Sequence, residues 1–391
     1  MIRLLTLRAV PLLLRPTVIL LEGSLVVGNP ILVLVLPLAM IALMISSIPV
    51  HLDYFKALAM HPDRERLARS YVSGLTWICL VSLLILAPLL LLLPLGLSGV
   101  IVLSVCLVFL TEKLADETSR ALEFRKAFVK WFLVQSLRSG WMAIPIALSL
   151  AGMSYETAFL LMSGFACALM FLLYLKVLGL KPRLSREGFG SIRGNLVFLA
   201  GSFLTASYQQ LPRVVIAKIF PEHAHIYQAL AQVSQGVNLV FNVRFQIPYR
   251  RIITHKPLTF QRRLKPVMLW ILASSSVVAL IYILLPIVID VTSLSDVMLG
   301  ALLVPAMVAN ALTFSILSSY LGYLQWFARK SHVLCLYLTC IAISALAWMA
   351  ISTSVTDYIS LLTVPVYVMM TGFVWIFLIK IWFFPNRAKD V

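Results

Sequence analysis

Long apolar runs separated by short polar breaks set the pattern of this chain. A helix needs roughly 20 mostly apolar residues to cross the hydrocarbon of a bilayer. Runs of that kind lie near residues 8–27, 30–50, 71–94, 97–115, 127–150 and 154–178. A second set lies near 194–219, 225–248, 266–289, 296–320, 331–353 and 357–381. Between the sets comes the clearest polar stretch, which holds Lys181, Pro182, Arg183, Arg186, Gly188, Gly190 and Arg193. The pattern predicts an all-α polytopic membrane protein with about 12 transmembrane helices around a central cavity. One six-helix half would span 1–180 and the other 194–391, joined by a cytoplasmic linker over 181–193.

Charge between the runs gives the orientation. With the N-terminus in the cytoplasm, the cytoplasmic connections follow every second run. They carry Lys56, Arg64, Arg66 and Arg69, then Arg120, Arg125 and Lys126, then the linker cations. Further on they carry Arg250, Arg251, Lys256, Arg262, Arg263 and Lys265, and finally Arg329 and Lys330. The opposite connections, among them 28–29, 95–96, 151–153 and 221–224, contain no Lys or Arg. Cations mark the cytoplasmic side of membrane proteins, so both termini are expected inside. Arg15 and Glu22 interrupt the first run, which leaves an interfacial helix over 1–28 as the alternative. That alternative would invert every later loop against the charge pattern. The charged, apolar start lacks a small-residue cleavage site and reads as a retained helix.

Composition agrees with this reading. Hydrophobic residues make up 61% of the 391 positions, and charged residues only 12%, against about 25% in a typical soluble domain. Mean hydropathy is +0.98. A soluble enzyme, a nucleic-acid-binding domain and a disordered chain are excluded. The net charge of +17 belongs to the loops, so no nucleic-acid partner is expected. The five cysteines sit singly in apolar stretches, without metal-ligand spacing, and read as small buried hydrophobes. No phosphate-cradling Gly-rich loop, zinc motif or paired-carboxylate site is present, so neither an enzyme nor a cofactor or metal is predicted. A passive channel is disfavoured, because no filter-like repeat interrupts a helix.

The informative residues are polar groups inside the runs. A charge at the bilayer centre costs about 2.5–3.5 kcal/mol even on the lenient insertion scale. Arg8, Arg15 and Glu22 are seven apart and share one helix face. Arg15 would either line the cavity, reach the headgroups or pair with Glu22. Arg138 lies deep in the fifth run, too far from its start to reach the headgroups easily. It would take a cavity role or a structural pair. In the seventh run Ser202, Thr205, Gln209 and Arg213 form a polar stripe, with Pro212 placed to kink the helix. Lys218 near the end of that run would snorkel. Gln228, Gln232, Gln235, Asn238 and Asn242 follow one face of the eighth run, from interhelical hydrogen bonding or a water-filled groove. Buried Arg suits phosphate or carboxylate, and amides suit sugar hydroxyls. An anionic, polyhydroxylated solute is implied.

The passage Leu211-Pro-Arg-Val-Val-Ile-Ala-Lys-Ile-Phe220, followed by Ile226-Tyr-Gln-Ala-Leu-Ala231 and Ile247-Pro-Tyr-Arg250, is similar to the seventh-to-eighth helix region of a known family. With the six-plus-six topology, it resembles the polysaccharide flippases of the multidrug/oligosaccharidyl-lipid/polysaccharide exporter superfamily. That family often has Asp where this chain has Pro212, and Gly where it has His225. The resemblance implies alternating access, carrying a polyprenyl-pyrophosphate-linked oligosaccharide from the inner to the outer leaflet of the cytoplasmic membrane. It makes Arg15, Arg138 and Arg213 candidate cations for the pyrophosphate. Gln209, Gln232, Gln235 and Asn238 complete the expected substrate surface. Glu22, as the one acid deep in a predicted span, is the candidate for ion coupling. The expected partners are the lipid-linked glycan, the bilayer and other polysaccharide-assembly proteins. Two rivals remain: an exporter of a small anionic solute or drug, and a non-transporting scaffold for that machinery.

Overall fold

The computed structural model describes residues 2–26, 31–46, 64–92, 97–125, 127–179, 184–186, 189, 197–245, 296–327, 330–354 and 358–383, with scattered positions between 266 and 281. In chain order the helices are α1 (Ile2–Leu25), α2 (Leu32–Ile45), α3 (Arg64–Leu92), α4 (Gly99–Phe124), α5 (Phe128–Gly140), α6 (Ala143–Leu150) and α7 (Tyr155–Leu178). They continue as α8 (Val197–Gln209), α9 (Leu211–Ile219), α10 (Ala224–Phe245), α11 (Asp296–Phe327), α12 (Lys330–Ser354) and α13 (Tyr358–Phe383). No strand occurs among the described residues. Each expected span except the ninth is matched by a helix or by a broken pair. The ninth, 266–289, lies mostly outside the described residues. Much of the expected linker 181–193 also lies outside them.

Two of the matches are broken helices. Pro212 cannot donate a backbone hydrogen bond, and α8 stops at Gln209 before α9 begins at Leu211. The expected kink is a full interruption. The fifth span breaks after Gly140, at Trp141 and Met142, where the sequence suggested one continuous helix. Helix α4 departs the other way. It runs on to Phe124, past the expected end near 115, and keeps Glu112, Lys113 and Glu117 buried. Its polar side chains find partners on neighbouring helices, so the change in hydropathy does not end it.

Four described helices are long and apolar enough to cross a membrane unaided: Arg69–Leu92, Tyr155–Val177, Gly300–Ser318 and Val364–Ile381. Local chemistry frames the second of these. Ser154 caps the start of α7 by accepting from the Thr157 N–H, with Glu156 in the first turn. Gly179, at φ 68°, closes the helix in the left-handed conformation that a side chain would disfavour.

The chain forms two compact units, Met1–Ala206 and Ser207–Val391. In the first, α4 is the central helix and packs on α2, α3, α5 and α7. Small and hydroxyl-bearing residues on α4 permit close approach, and Thr111 and Thr118 return their hydroxyls to Leu107 O and Leu114 O. In the second unit α11 packs on α10 and α13. Thr313 and Ser315 satisfy themselves in the same way on Ala309 O and Ala311 O. Leu84, Leu92 and Leu172 are among the exposed apolar side chains, as lipid-facing positions should be. The cysteines fit the expectation only in part. Cys106 and Cys340 are buried, but Cys335 is exposed on α12 and Cys79 and Cys167 are half-buried.

Candidate functional site

The first unit gathers its charges on α4. Glu112 is fully buried, and two guanidiniums converge on it from different helices. Arg15 of α1 donates from Nη2 to Glu112 Oε1. Arg138 of α5 donates to Oε2 from Nε at 2.6 Å and pairs through Nη2 at 2.5 Å. One turn before Arg138, Gln135 donates from Nε2 to Ser119 Oγ at 2.7 Å, which ties α5 to α4 a second time. Two of the three predicted cations, Arg15 and Arg138, are therefore brought together, by an acid the sequence did not single out. Arg15 neither reaches toward headgroups nor pairs with Glu22. Two cations share one carboxylate, so the trio carries a net positive charge inside a helical packing.

Glu22 sits elsewhere. Its Oε1 accepts from the Leu32 N–H at 2.8 Å and from the Tyr155 hydroxyl at 2.7 Å. The first of these bonds satisfies an unpaired N–H at the start of α2, where a negative charge also opposes the helix dipole. Glu22 thus joins α1, α2 and α7. Its Oε2 is buried without a hydrogen-bond partner among the described residues. A third group on α4 joins Lys113 to Glu117 at 3.1 Å, while Tyr71 of α3 donates to Glu117 and Lys113 Nζ donates to Ser46 O at 3.4 Å. These contacts close the ends of α2 and α3 onto α4.

The second unit holds a small polar pocket of about 40 Å³ at the α8–α9 break. Gln209 and Arg213 line it from the break, Tyr227 and Ser234 from α10, and Asn310 from α11. Arg213 is 4% exposed and donates from Nη2 to Ala231 O at 3.1 Å. Tyr208 donates to Asn310 Oδ1 at 2.5 Å, with its ring stacked on Phe314 at 5.5 Å. The ring edge rests on α13 at Gly372, where a Cβ would lie 2.8 Å from Tyr208. Gly372→Val should force Tyr208 off Asn310 at a cost of about 1–3 kcal/mol. A lower thermal unfolding midpoint of the purified protein would register it.

Not all predicted residues reach this pocket. On α10 the lining face is Tyr227, Ala231 and Ser234, spaced four and three apart. Gln228 and Gln232 are buried on the adjacent face. The side chains of Gln235, Asn238 and Asn242 lie outside the described residues. Both amide atoms of Gln210 and of Gln228 are buried without a partner among the described residues, as is Gln232 Nε2. Buried amides normally find partners, so these are groups that water or a hydroxylated solute could satisfy. Lys218 is exposed, as a snorkelling residue would be. Sequence reasoning missed Glu112, Tyr208, Tyr227 and Asn310. Asn310 was the easiest to find, being an amide near the centre of an apolar run.

No protein-family model matches the chain, and no curated protein matches it. Among solved structures, it matches the crystal structure of the eukaryotic MATE transporter AtDTX14 with a TM-score of 0.54. Sequence identity is 11%, over 97% of this chain and 95% of that one. The fold is similar to that of a MATE transporter. At this identity the likeness concerns architecture alone, that of a multi-pass helical membrane protein.

Proposed function

We propose that this protein moves an anionic, hydroxyl-bearing solute across the cytoplasmic membrane by alternating access of two six-helix halves. The favoured cargo is a polyprenyl-pyrophosphate-linked oligosaccharide on its way to a surface polysaccharide. The observation that carries the reading is Arg213, buried in a pocket whose other polar walls are Tyr, Asn, Gln and Ser. A guanidinium there offers charge-assisted bonds to phosphate oxygens, and the neutral groups both donate to and accept from sugar hydroxyls. The unpartnered amides of Gln210, Gln228 and Gln232 extend the same hydrogen-bonding capacity. Arg15 and Arg138 supply a further excess of positive charge in the other half, where Glu22 is the candidate acid for ion coupling. The lipid carrier would stay in the bilayer while the head crosses.

The pocket's volume favours a second reading. About 40 Å³ is room for a few waters or one small anionic group, not for several sugar rings. Under that reading the protein exports a small anionic solute or drug on the same architecture. One strain separates the two. Deleting the protein should abolish surface polysaccharide and build up lipid-linked precursor in the inner leaflet if the cargo is the glycan. Normal polysaccharide together with raised sensitivity to anionic drugs would instead select the exporter.

A further inference from the structure

A separate cavity of about 430 Å³ lies in the first unit between α3, α4 and α7. It falls within the range of ligand pockets, roughly 300–1,000 Å³. Its walls are mostly apolar, with Cys79 of α3, Leu110 of α4 and Gly164, Cys167 and Phe171 of α7 among them. A Cβ built on Gly164 meets nothing within 4 Å, so the space beside it is open. The cavity is continuous with the outer surface. Phe171 both lines it and is 40% exposed, and the flanking Leu80, Leu84 and Leu172 are exposed as well. In a membrane that surface meets hydrocarbon, so acyl chains are what the opening faces.

One end of the cavity is polar. There the Lys113–Glu117 pair and Tyr174 form the wall. Beyond it α4 and α7 finish side by side, with the Arg125 guanidinium donating to Val177 O at 2.6 Å. Arg125 lies eight residues past Glu117, about 12 Å along the helix direction. Lys176 lies in the last turn of α7, just past Tyr174. The charge pattern of the loops puts this end at the cytoplasm. An apolar slot open to the bilayer, with two cations at its cytoplasmic end, matches one ligand in shape and charge.

We propose that this crevice seats an acyl chain of an anionic phospholipid from the cytoplasmic leaflet, with the phosphate held near Arg125 and Lys176. The site is independent of what the protein transports. It would fix α3 and α7 against α4 and make the first unit sensitive to the lipid around it.

The test uses the full-length protein in nanodiscs containing phosphatidylglycerol or phosphatidylcholine with identical chains, each with a mid-chain diazirine. After irradiation, adducts are mapped by mass spectrometry. Adducts should concentrate on 75–79, 107–117 and 164–174, and phosphatidylglycerol should exceed phosphatidylcholine by about fivefold for each cation engaged. Gly164→Leu should remove the crevice adducts while leaving those on the outer face at Leu84 and Leu92. Cys167→Leu fills the same space from a different position, and a thermal midpoint for each variant identifies any that misfolds. Arg125→Gln with Lys176→Gln should equalise the two lipids. Equal labelling by both lipids in the unaltered protein would overturn the proposal, as would crevice adducts that survive both filling substitutions in folded protein.

Discussion

Glu112→Ala should be among the most damaging single substitutions in the first unit. It leaves Arg15 and Arg138 facing each other in a buried site, with the only carboxylate both contact removed. Breaking a buried ion pair by deleting one partner costs about 3–5 kcal/mol, and here two cations are stranded at once. That is a large fraction of the roughly 5–15 kcal/mol that stabilises a typical domain. The expected result is little folded protein in the membrane, or a sharply lowered unfolding midpoint after purification. The partner variants should differ in order. Arg15→Met leaves Glu112 and Arg138 as a balanced pair with both Arg138 contacts intact, so it should be the mildest. Arg138→Met removes the better-bonded cation and should fall between. A double variant, Glu112→Gln with Arg138→Met, strands one cation instead of two and should be more stable than Glu112→Ala alone. If Glu112→Ala is no less stable than Arg15→Met, the trio is not the electrostatic centre of its unit.

Much of the helical architecture is legible in the sequence, because bilayer thickness imposes a length on each apolar run. The interruption at Pro212 is legible for an equally local reason: proline lacks an N–H. What escapes is tertiary pairing. Glu112 falls in the last turn of the expected span 97–115, where hydropathy marks it as a residue near a helix end and not as a buried centre. The partners that keep it inside are 97 residues away in Arg15 and 26 away in Arg138. The break after Gly140 has no comparable signal, since one glycine is tolerated within membrane helices.

Glu22 shows the same limit in another form. Its depth in α1 is visible, but its role at the start of α2 depends on a backbone N–H ten residues on. The amides of α10 show why a polar stripe is not yet a site. Periodicity groups Gln228 and Gln232 correctly as one buried face, yet it cannot say which neighbour that face meets. The face that meets Arg213 is the adjacent one, carrying Tyr227 and Ser234, whose mixed character does not read as a stripe.

Arg213 is the residue on which transport should depend most steeply. It is buried, lines the pocket, and sits one residue after the proline that opens the helix. Hydrogen bonds to a charged group are worth about 1.5–3 kcal/mol, which is roughly a 10- to 150-fold change in binding. Arg213→Gln keeps an amide donor on a shorter arm and removes the charge, so uptake of an anionic cargo into proteoliposomes should fall by at least about tenfold. Arg213→Lys restores the charge without the planar fork and should recover only part of the loss. The contact to Ala231 O also holds α9 to α10, so a structural role has to be separated from a recognition role. The separation lies in comparing the two variants. A structural role would lower both unfolding midpoints in step with activity. A recognition role predicts similar midpoints and a loss that is deep for Gln, shallower for Lys, and smaller at high salt where the cargo itself is charged. Transport that survives Arg213→Gln undiminished would remove the pocket from the mechanism and leave Arg15 and Arg138, which share Glu112, as the remaining candidate cations.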